Sequence, residues 1–118
     1  MKKTIKHLLL VVTLLVATAP ELIGCDAPGG LAAGSITATS AVLSWSAVSG
    51  ADHYNVAWQK VNSGFWNIVS NVKTTSVKIG GYPVGLSPNT TYHFMVQTVC
   101  SSGFSTYSAA VSFKTASK

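Results

Sequence analysis

The chain of 118 residues is 47% hydrophobic and 9% charged, with eight lysines, no arginine and three acidic residues. This length suits one domain rather than two, and so high an apolar content with so few charges excludes intrinsic disorder. The formal net charge of +5 raises the question of nucleic acid, yet three of the eight lysines lie within the first six residues.

The first 24 residues have the pattern of a secretion signal. A basic stretch, residues 1–7, precedes ten uncharged residues, 8–17, and a membrane-spanning helix would need about 20 apolar residues. The shorter run favours a signal peptide. Residues 22–25, Leu-Ile-Gly-Cys, resemble the lipobox of bacterial lipoproteins, whose cysteine is lipidated and becomes the first residue. We predict a lipoprotein signal peptide over 1–24 and lipidation of Cys25; the alternative is an ordinary signal peptide in which this cysteine is incidental.

An anchor at this position predicts where the protein resides. Residues 25–29 would be the lipidated cysteine and a tether with a reach of about 17 Å, which holds a domain over residues 30–116 close to a bacterial cell-envelope membrane. The outer membrane or cell surface is favoured over the inner membrane, although Asp26 resembles an inner-membrane retention signal of some enterobacteria. If Cys25 is acylated, Cys100 has no partner within the chain, and the sequence predicts a fold without a disulfide.

Without its signal the chain has five lysines and two aspartates, a formal charge of 5 − 2 = +3. The lysines are scattered along the sequence. Without arginine, the chain has no guanidinium group to form bidentate hydrogen bonds with phosphate or guanine. A basic stripe of the kind that nucleic-acid binding needs is not predicted. We therefore expect no nucleic acid among the partners.

The remaining residues show the pattern of an all-β domain. Short runs of Val, Ile, Thr, Ser and aromatic residues recur between clusters of Gly, Pro, Asn and Asp. Within several runs the large residues occupy alternate positions, as in an antiparallel strand buried on one face. We predict a seven-stranded antiparallel β-sandwich with strands at 30–36, 40–46, 53–60, 65–70, 74–79, 91–100 and 107–115.

Five short motifs then point to a family. In chain order they are Pro28-x-x-Leu31, Leu43-Ser44-Trp45, Gly50-Ala51-x-x-Tyr54-x-Val56, Leu86-Ser87-Pro88-Asn89-Thr90-Thr91-Tyr92 and Gly103-Phe104-Ser105. Together they resemble a fibronectin type III domain, an immunoglobulin-like β-sandwich. The resemblance implies that Tyr92 forms the tyrosine corner, with a hydrogen bond from its hydroxyl to the preceding turn. It also implies a structural core that includes Trp45, Tyr54, Trp58, Leu86, Pro88 and Tyr92.

The connection from Ile79 to Leu86 departs from the family pattern, since it is longer by about four residues, and long connections in compact domains are often functional. Tyr82 lies in this insertion and is a candidate contact residue. The alternative is that its ring covers the end of the core.

The side chains needed for catalysis are few. After the signal, the two carboxylates are Asp26 and Asp52, on different elements, whereas glycoside hydrolysis generally needs a facing pair. His53 and His93 begin neighbouring antiparallel strands and should lie about 20 Å apart, too far to share a metal. We predict a protein that is not an enzyme and that has no metal or cofactor.

Two surfaces could bind a partner. The pole farthest from Cys25 should carry the loops at 61–64 and 80–85, with Tyr82, Phe65 and Trp66 as candidate binding residues, because exposed aromatic side chains are typical of interfaces. Trp66 could instead be a packed strand residue. The second surface is the uncharged outward face of one sheet, with Asn55, Ala57, Gln59, His93, Met95, Gln97, Val99, Ala110 and Ser112.

These observations predict a non-enzymatic, lipid-anchored bacterial cell-envelope protein whose single domain serves protein binding, adhesion or assembly. Its partners would be the membrane, through Cys25, and an envelope protein or a glycan. The alternative is a carbohydrate-binding or spacer module associated with secreted polysaccharide-degrading enzymes.

Overall fold

A computed structural model describes residues 25–118, so the predicted signal peptide at 1–24 lies outside the described residues. Over this part of the chain no helix is long and apolar enough to cross a membrane. The strands are β1 Ala32–Gly34, β2 Ser40–Ser44, β3 Ala51–Lys60, β4 Asn67–Val72, β5 Ser76–Gly80, β6 Thr91–Cys100, β7 Gly103–Phe104 and β8 Val111–Lys114.

The strands form two antiparallel sheets. One has the order β1-β2-β5, and the other has the order β4-β3-β6, with β7 and β8 both pairing with β6. The prediction of an all-β antiparallel sandwich is confirmed. The strand number differs, because a short strand that was not predicted, β7, precedes the predicted last strand, and β8 occupies only Val111–Lys114 of the predicted 107–115.

Two serine hydroxyls account for the irregular segment between β7 and β8. Ser105 Oγ accepts the backbone N–H of Thr98 at 2.9 Å, and Ser108 Oγ accepts the backbone N–H of Val96 at 3.0 Å. Serine side chains compete with backbone carbonyls for such donors. The β6 donors are therefore satisfied although no regular strand lies beside them between Ser105 and Ala110.

The core lies between the two sheets and follows the alternation along each strand. In β6, Tyr92, Phe94, Val96 and Thr98 are buried, while the residues between them are partly exposed. Leu43 from β2 and Val56 from β3 are fully buried, one from each sheet. Burying each large apolar side chain stabilises the fold by about 1.5–3 kcal/mol, so the pattern of alternation decides which face of each sheet turns inward.

Pairs of aromatic rings pack toward each end of this core. Trp45 packs edge-on against Tyr54 with ring centroids 5.4 Å apart, and Tyr92 stacks on Phe113 at 5.8 Å. Trp58, half-buried, contacts Tyr92 at 5.9 Å. The structure thus places these aromatic residues of the predicted core inside the sandwich.

The tyrosine corner has the expected geometry. The Tyr92 hydroxyl accepts a hydrogen bond from the backbone N–H of Ser87 at 2.8 Å. Leu86 is buried and Pro88 half-buried in the same turn. Thr115 donates from its hydroxyl to the Ser87 carbonyl at 2.6 Å, so the turn before β6 is held from both sides.

Cys25 and Cys100 form a disulfide bond, with their Cα atoms 6.1 Å apart. The prediction that Cys100 has no partner and that no disulfide closes the fold is wrong. The physical reason is that the segment predicted as a free tether packs on the domain: Pro28 is buried, and the Gly29 carbonyl accepts the N–H of Ser46 at 2.9 Å. This docking carries Cys25 to the end of β6.

Strand register sorts the loops into two poles. At one end, which we call the far pole, Lys60 lies opposite Tyr92, Lys114 opposite Thr91, and Gly80 opposite Ser40. The loops at 61–66 and 81–90 therefore belong to the far pole. The other end, the disulfide pole, contains Cys25 and the loops at 45–50 and 101–102.

Candidate binding surfaces

The outward side of the larger sheet, which we call the outer sheet face, is built from three neighbouring strands. Register places Ala57 between Ile68 and Met95, and Gln59 opposite His93. Trp66 stacks on His93 and so joins the same face. The side chains that define this surface carry no lysine and no carboxylate: Asn55, Ala57, Gln59, Trp66, Ile68, His93, Met95 and Gln97.

A stack of two rings organises one end of this face. The Trp66 and His93 rings have centroids 4.9 Å apart and planes 13° apart. The Gln59 side chain donates from Nε2 to the Phe65 carbonyl at 2.9 Å, and its Oε1 lies 2.9 Å from His93 Nε2. Because Gln59 Oε1 can only accept, His93 Nε2 is the donor. This hydrogen bond fixes the orientation of the His93 imidazole, which covers one face of the Trp66 indole.

The other side of the indole faces outward. Trp66 is 37% exposed, and its neighbours Phe65 and Ile68 are 62% and 52% exposed. These three residues, which we call the apolar strip, lie just before and at the start of β4, the edge strand of the sheet. The structure therefore places Trp66 on the outer sheet face, next to a residue, Ile68, that sequence reasoning did not single out.

Phe104 is a second exposed aromatic residue that the sequence did not assign to a surface. It pairs with Val99 across β6 and β7, so its side chain shares the outer face near the disulfide pole. Its parity could not be read from the sequence because the predicted last strand began after it. Only the pairing of the short β7 reveals it.

The amides of the outer sheet face are already hydrogen-bonded within the protein. Asn55 Nδ2 donates to Gln97 Oε1 at 3.0 Å, and Gln97 Nε2 donates to the Ser105 carbonyl at 3.0 Å. The backbone N–H of Asn71 donates to Asn55 Oδ1 at 3.2 Å. These bonds leave the apolar side chains as the main chemistry that this face offers to a partner.

The insertion that contains Tyr82 forms a loop at the far pole, and the two ends of the loop lie close together. The backbone N–H groups of Gly81 and Leu86 both donate to the Thr39 carbonyl, each at 2.8 Å, and so pinch the loop at its base. Tyr82 is 98% exposed and Val84 is 81% exposed. The alternative that Tyr82 covers the end of the core does not hold, since buried Leu86 occupies that place.

The fold brings together lysines that are far apart in the sequence. Lys60 and Lys114 end strands on either side of β6, opposite Tyr92 and Thr91. The Lys78 ammonium approaches Gly81 in the pinched loop, since a Cβ there would lie 3.9 Å from Nζ. All three are exposed. Lysines that look scattered along the chain therefore gather at the far pole, because each sits near the end of a strand.

The described acids lie at the disulfide pole. Asp52 Oδ2 is 2.7 Å from His53 Nδ1 and 3.6 Å from Lys73 Nζ. The hydrogen bond from His53, followed by the charge of Lys73, lowers the pKa of the Asp52 carboxyl. His53 pairs with Val99, whereas His93 pairs with Gln59, six residues further along β3. The two histidines therefore lie toward opposite ends of this strand pair. Within residues 25–118 no group of three His, Cys, Asp or Glu could hold a metal.

Two packed antiparallel sheets with a tyrosine corner define an immunoglobulin-like β-sandwich. The fibronectin type III domain model matches residues 26–114, and the chain belongs to that family. Domains of this family are typically non-catalytic and generally act as protein-binding or spacer modules.

Solved structures show the same likeness. A structure described as a myokine is 26% identical with a TM-score of 0.70, and the match covers 79% of this chain and 99% of that one. The FN5 domain of Drosophila Lar is 26% identical with a TM-score of 0.60, covering 81% and 100%. An Fn3-like protein from Clostridium thermocellum is 27% identical with a TM-score of 0.60, covering 73% and 88%. A search of the curated proteins found no match.

Proposed function

We propose that this chain is an exported, non-catalytic binding module that holds a protein partner on its outer sheet face. The observation that carries the proposal is the apolar strip of Phe65, Trp66 and Ile68. Tryptophan is enriched among the residues that dominate interface energetics, and here a fixed imidazole holds it in place before any partner arrives. Orienting the ring in advance reduces the ordering cost of binding.

The satisfied amides favour a protein over a sugar. A neutral glycan needs a few directed polar groups beside its stacking ring, yet Gln59, Asn55 and Gln97 already bond within the domain. An apolar protein surface makes no such demand. The eight side chains that define this face include no lysine and no carboxylate, which suits a partner whose contact area is uncharged, because no unpaired charge would be buried there. Lys114 on β8 borders the face, opposite Thr91.

A photocrosslinking experiment in the producing bacterium tests the proposal. A photoreactive amino acid is placed at Ile68, and a matched control has the same residue at exposed Ser76 on β5 of the other sheet. We expect a discrete, protease-sensitive adduct from position 68 that is absent from position 76 and lost on Trp66→Ala. Equal adducts at both positions, or none at position 68, would contradict a protein-binding role for this face.

A carbohydrate-binding role is the second candidate, and the open side of the Trp66 indole favours it together with the exposed Tyr82 ring. Stacking of a sugar on an aromatic platform would retain the domain on an insoluble glycan. Retention that falls on Trp66→Ala but not on Tyr82→Ala would assign the outer sheet face, and the reverse would assign the pinched loop. If the domain passes unretained over a broad panel of glycans, this candidate is rejected.

The proposed location is the bacterial cell envelope or its exterior, which rests on the predicted signal peptide. A lipid anchor at Cys25, with residence at the outer membrane or cell surface, remains the prediction of residues 22–25. It competes with the disulfide for one sulfur atom.

A further inference from the structure

We infer that Cys25 is a disulfide cysteine of the folded domain and that its sulfur carries no lipid in the exported protein. In lipidation a phospholipid transfers its diacylglyceryl group to the sulfur, a thioether forms, and the thiol proton leaves with the headgroup phosphate of the phospholipid. Disulfide formation removes two protons and two electrons from the Cys25 and Cys100 thiols; an oxidised thiol oxidoreductase of the envelope accepts them and becomes a dithiol. One sulfur can undergo only one of these reactions.

The position of Cys25 is specified by the fold. Its Cα lies 6.1 Å from that of Cys100, inside the range of about 4.4–6.8 Å that disulfides span. The sulfur lies 3.6 Å from the Thr98 carbonyl and 3.8 Å from the Gly103 carbonyl, at the corner where β6 turns into β7.

The segment behind Cys25 is packed on the domain. Pro28 is buried three residues after the cysteine, and Gly29 is hydrogen-bonded to Ser46. A thioether at Cys25 would have to lead its acyl chains from this docked segment into a bilayer. It would also leave the half-buried Cys100 thiol without its partner. The packing that brings the two sulfurs together therefore opposes the use of residues 25–29 as a tether.

Without the lipid, neither pole of the domain is tied to a membrane through Cys25. The outer sheet face and the far pole are then equally open to partners outside the cell. The resemblance of residues 22–25 to a lipobox becomes a chance match in front of a structural cysteine.

The test uses the full chain, expressed in a bacterium with lipoprotein processing and fed an alkyne-labelled palmitate. Free thiols are blocked without reductant, and peptides are mapped before reduction. We expect the wild-type chain to give a linked peptide pair containing Cys25 and Cys100, no label, and recovery outside the membrane fraction. These readouts are made on the wild type and so do not depend on the folding of a variant.

Two variants serve as controls. Cys25→Ser shows whether any label depends on Cys25, and Cys100→Ser shows whether freeing the Cys25 sulfur exposes it to lipidation. Label in most wild-type chains that disappears in Cys25→Ser, with Cys100 blocked as a free thiol, would overturn the inference. Two free, unlabelled thiols in the wild type would overturn it as well.

Discussion

The Trp66 indole lies flat on the His93 imidazole, and His93 in turn donates from Nε2 to the side chain of Gln59. Two contacts thus link an exposed aromatic ring to a buried amide. The amide itself is fixed by its bond to the Phe65 carbonyl, the residue just before the tryptophan. The ring at the candidate surface is consequently positioned by the loop that presents it and by the strand beneath it.

Replacing His93 with alanine is expected to lower the free energy of unfolding by about 1–3 kcal/mol. The buried Gln59 Oε1 would lose its donor, and the stacking contact of Trp66 would be lost with it. Urea denaturation followed by circular dichroism measures the change. The control is Ser112→Ala, because Ser112 is exposed opposite His93 on β8; a His93 effect no larger than that of the control would show that the bond is not stabilising.

Removing one hydroxyl from the tyrosine corner should also destabilise the domain. Tyr92→Phe leaves the part-buried Ser87 N–H without its acceptor, and the loss of such a hydrogen bond costs about 0.5–1.5 kcal/mol. Tyr82→Phe removes the same atom from a ring that is 98% exposed and should leave stability unchanged. Equal midpoints of urea unfolding for the two variants would contradict the role assigned to Tyr92.

The fold was predictable from the sequence because it depends on local pattern. Alternation along β3 and β6 and the motif from Leu86 to Tyr92 are readable without knowing which strands meet. Surfaces and covalent links depend on which distant residues become neighbours. Cys25 and Cys100 are 75 residues apart, and Trp66 meets His93 only because β3 pairs with β4 on one side and with β6 on the other. No spacing along the chain encodes these contacts.

The irregular segment between β7 and β8 shows the same limit at smaller scale. The residues from 107 onward have strand-like composition, and the sequence predicts an unbroken strand there. The hydroxyls of Ser105 and Ser108 take the places of backbone acceptors, which is a choice between two hydrogen-bond partners of similar strength. Composition does not distinguish them, and so the break and the outward position of Phe104 were missed.

Gly80 is required by the pinch at the base of the Tyr82 loop. It has φ of +79°, and an added Cβ would collide with the Thr39 carbonyl and lie 2.8 Å from Leu86 Cγ. Gly50, with φ of +84°, has nothing within 4 Å of such a Cβ. Gly50→Ala should therefore cost about 1–2 kcal/mol for its left-handed backbone alone, and Gly80→Ala clearly more. Thermal unfolding of both variants checks the order; equal losses would mean that the loop yields to the extra methyl group.

The titration of Asp52 should depend more on His53 than on Lys73. The hydrogen bond from His53 is the largest cause of the lowered pKa, so His53→Ala should raise the Asp52 pKa more than Lys73→Ala does. Because the folded pKa is depressed, any stabilisation from this carboxylate is present above its unfolded pKa and is lost as pH falls through the folded value. Carboxyl titration by NMR measures each variant, and the opposite order would show that charge outweighs the hydrogen bond.

Reducing the disulfide should be the most damaging of these changes. The bond closes a loop with a sequence separation of 75 residues, and the chain-entropy model assigns such a loop about 4 kcal/mol of stabilisation. The comparison is between oxidised protein and protein reduced and alkylated, both unfolded in urea. The Cys25→Ser, Cys100→Ser double variant should match the alkylated form, because both lack the same constraint on the unfolded chain. A difference below about 1 kcal/mol would mean that the sandwich is stable without the link, since the docking of Pro28 and Gly29 would then hold the segment by itself.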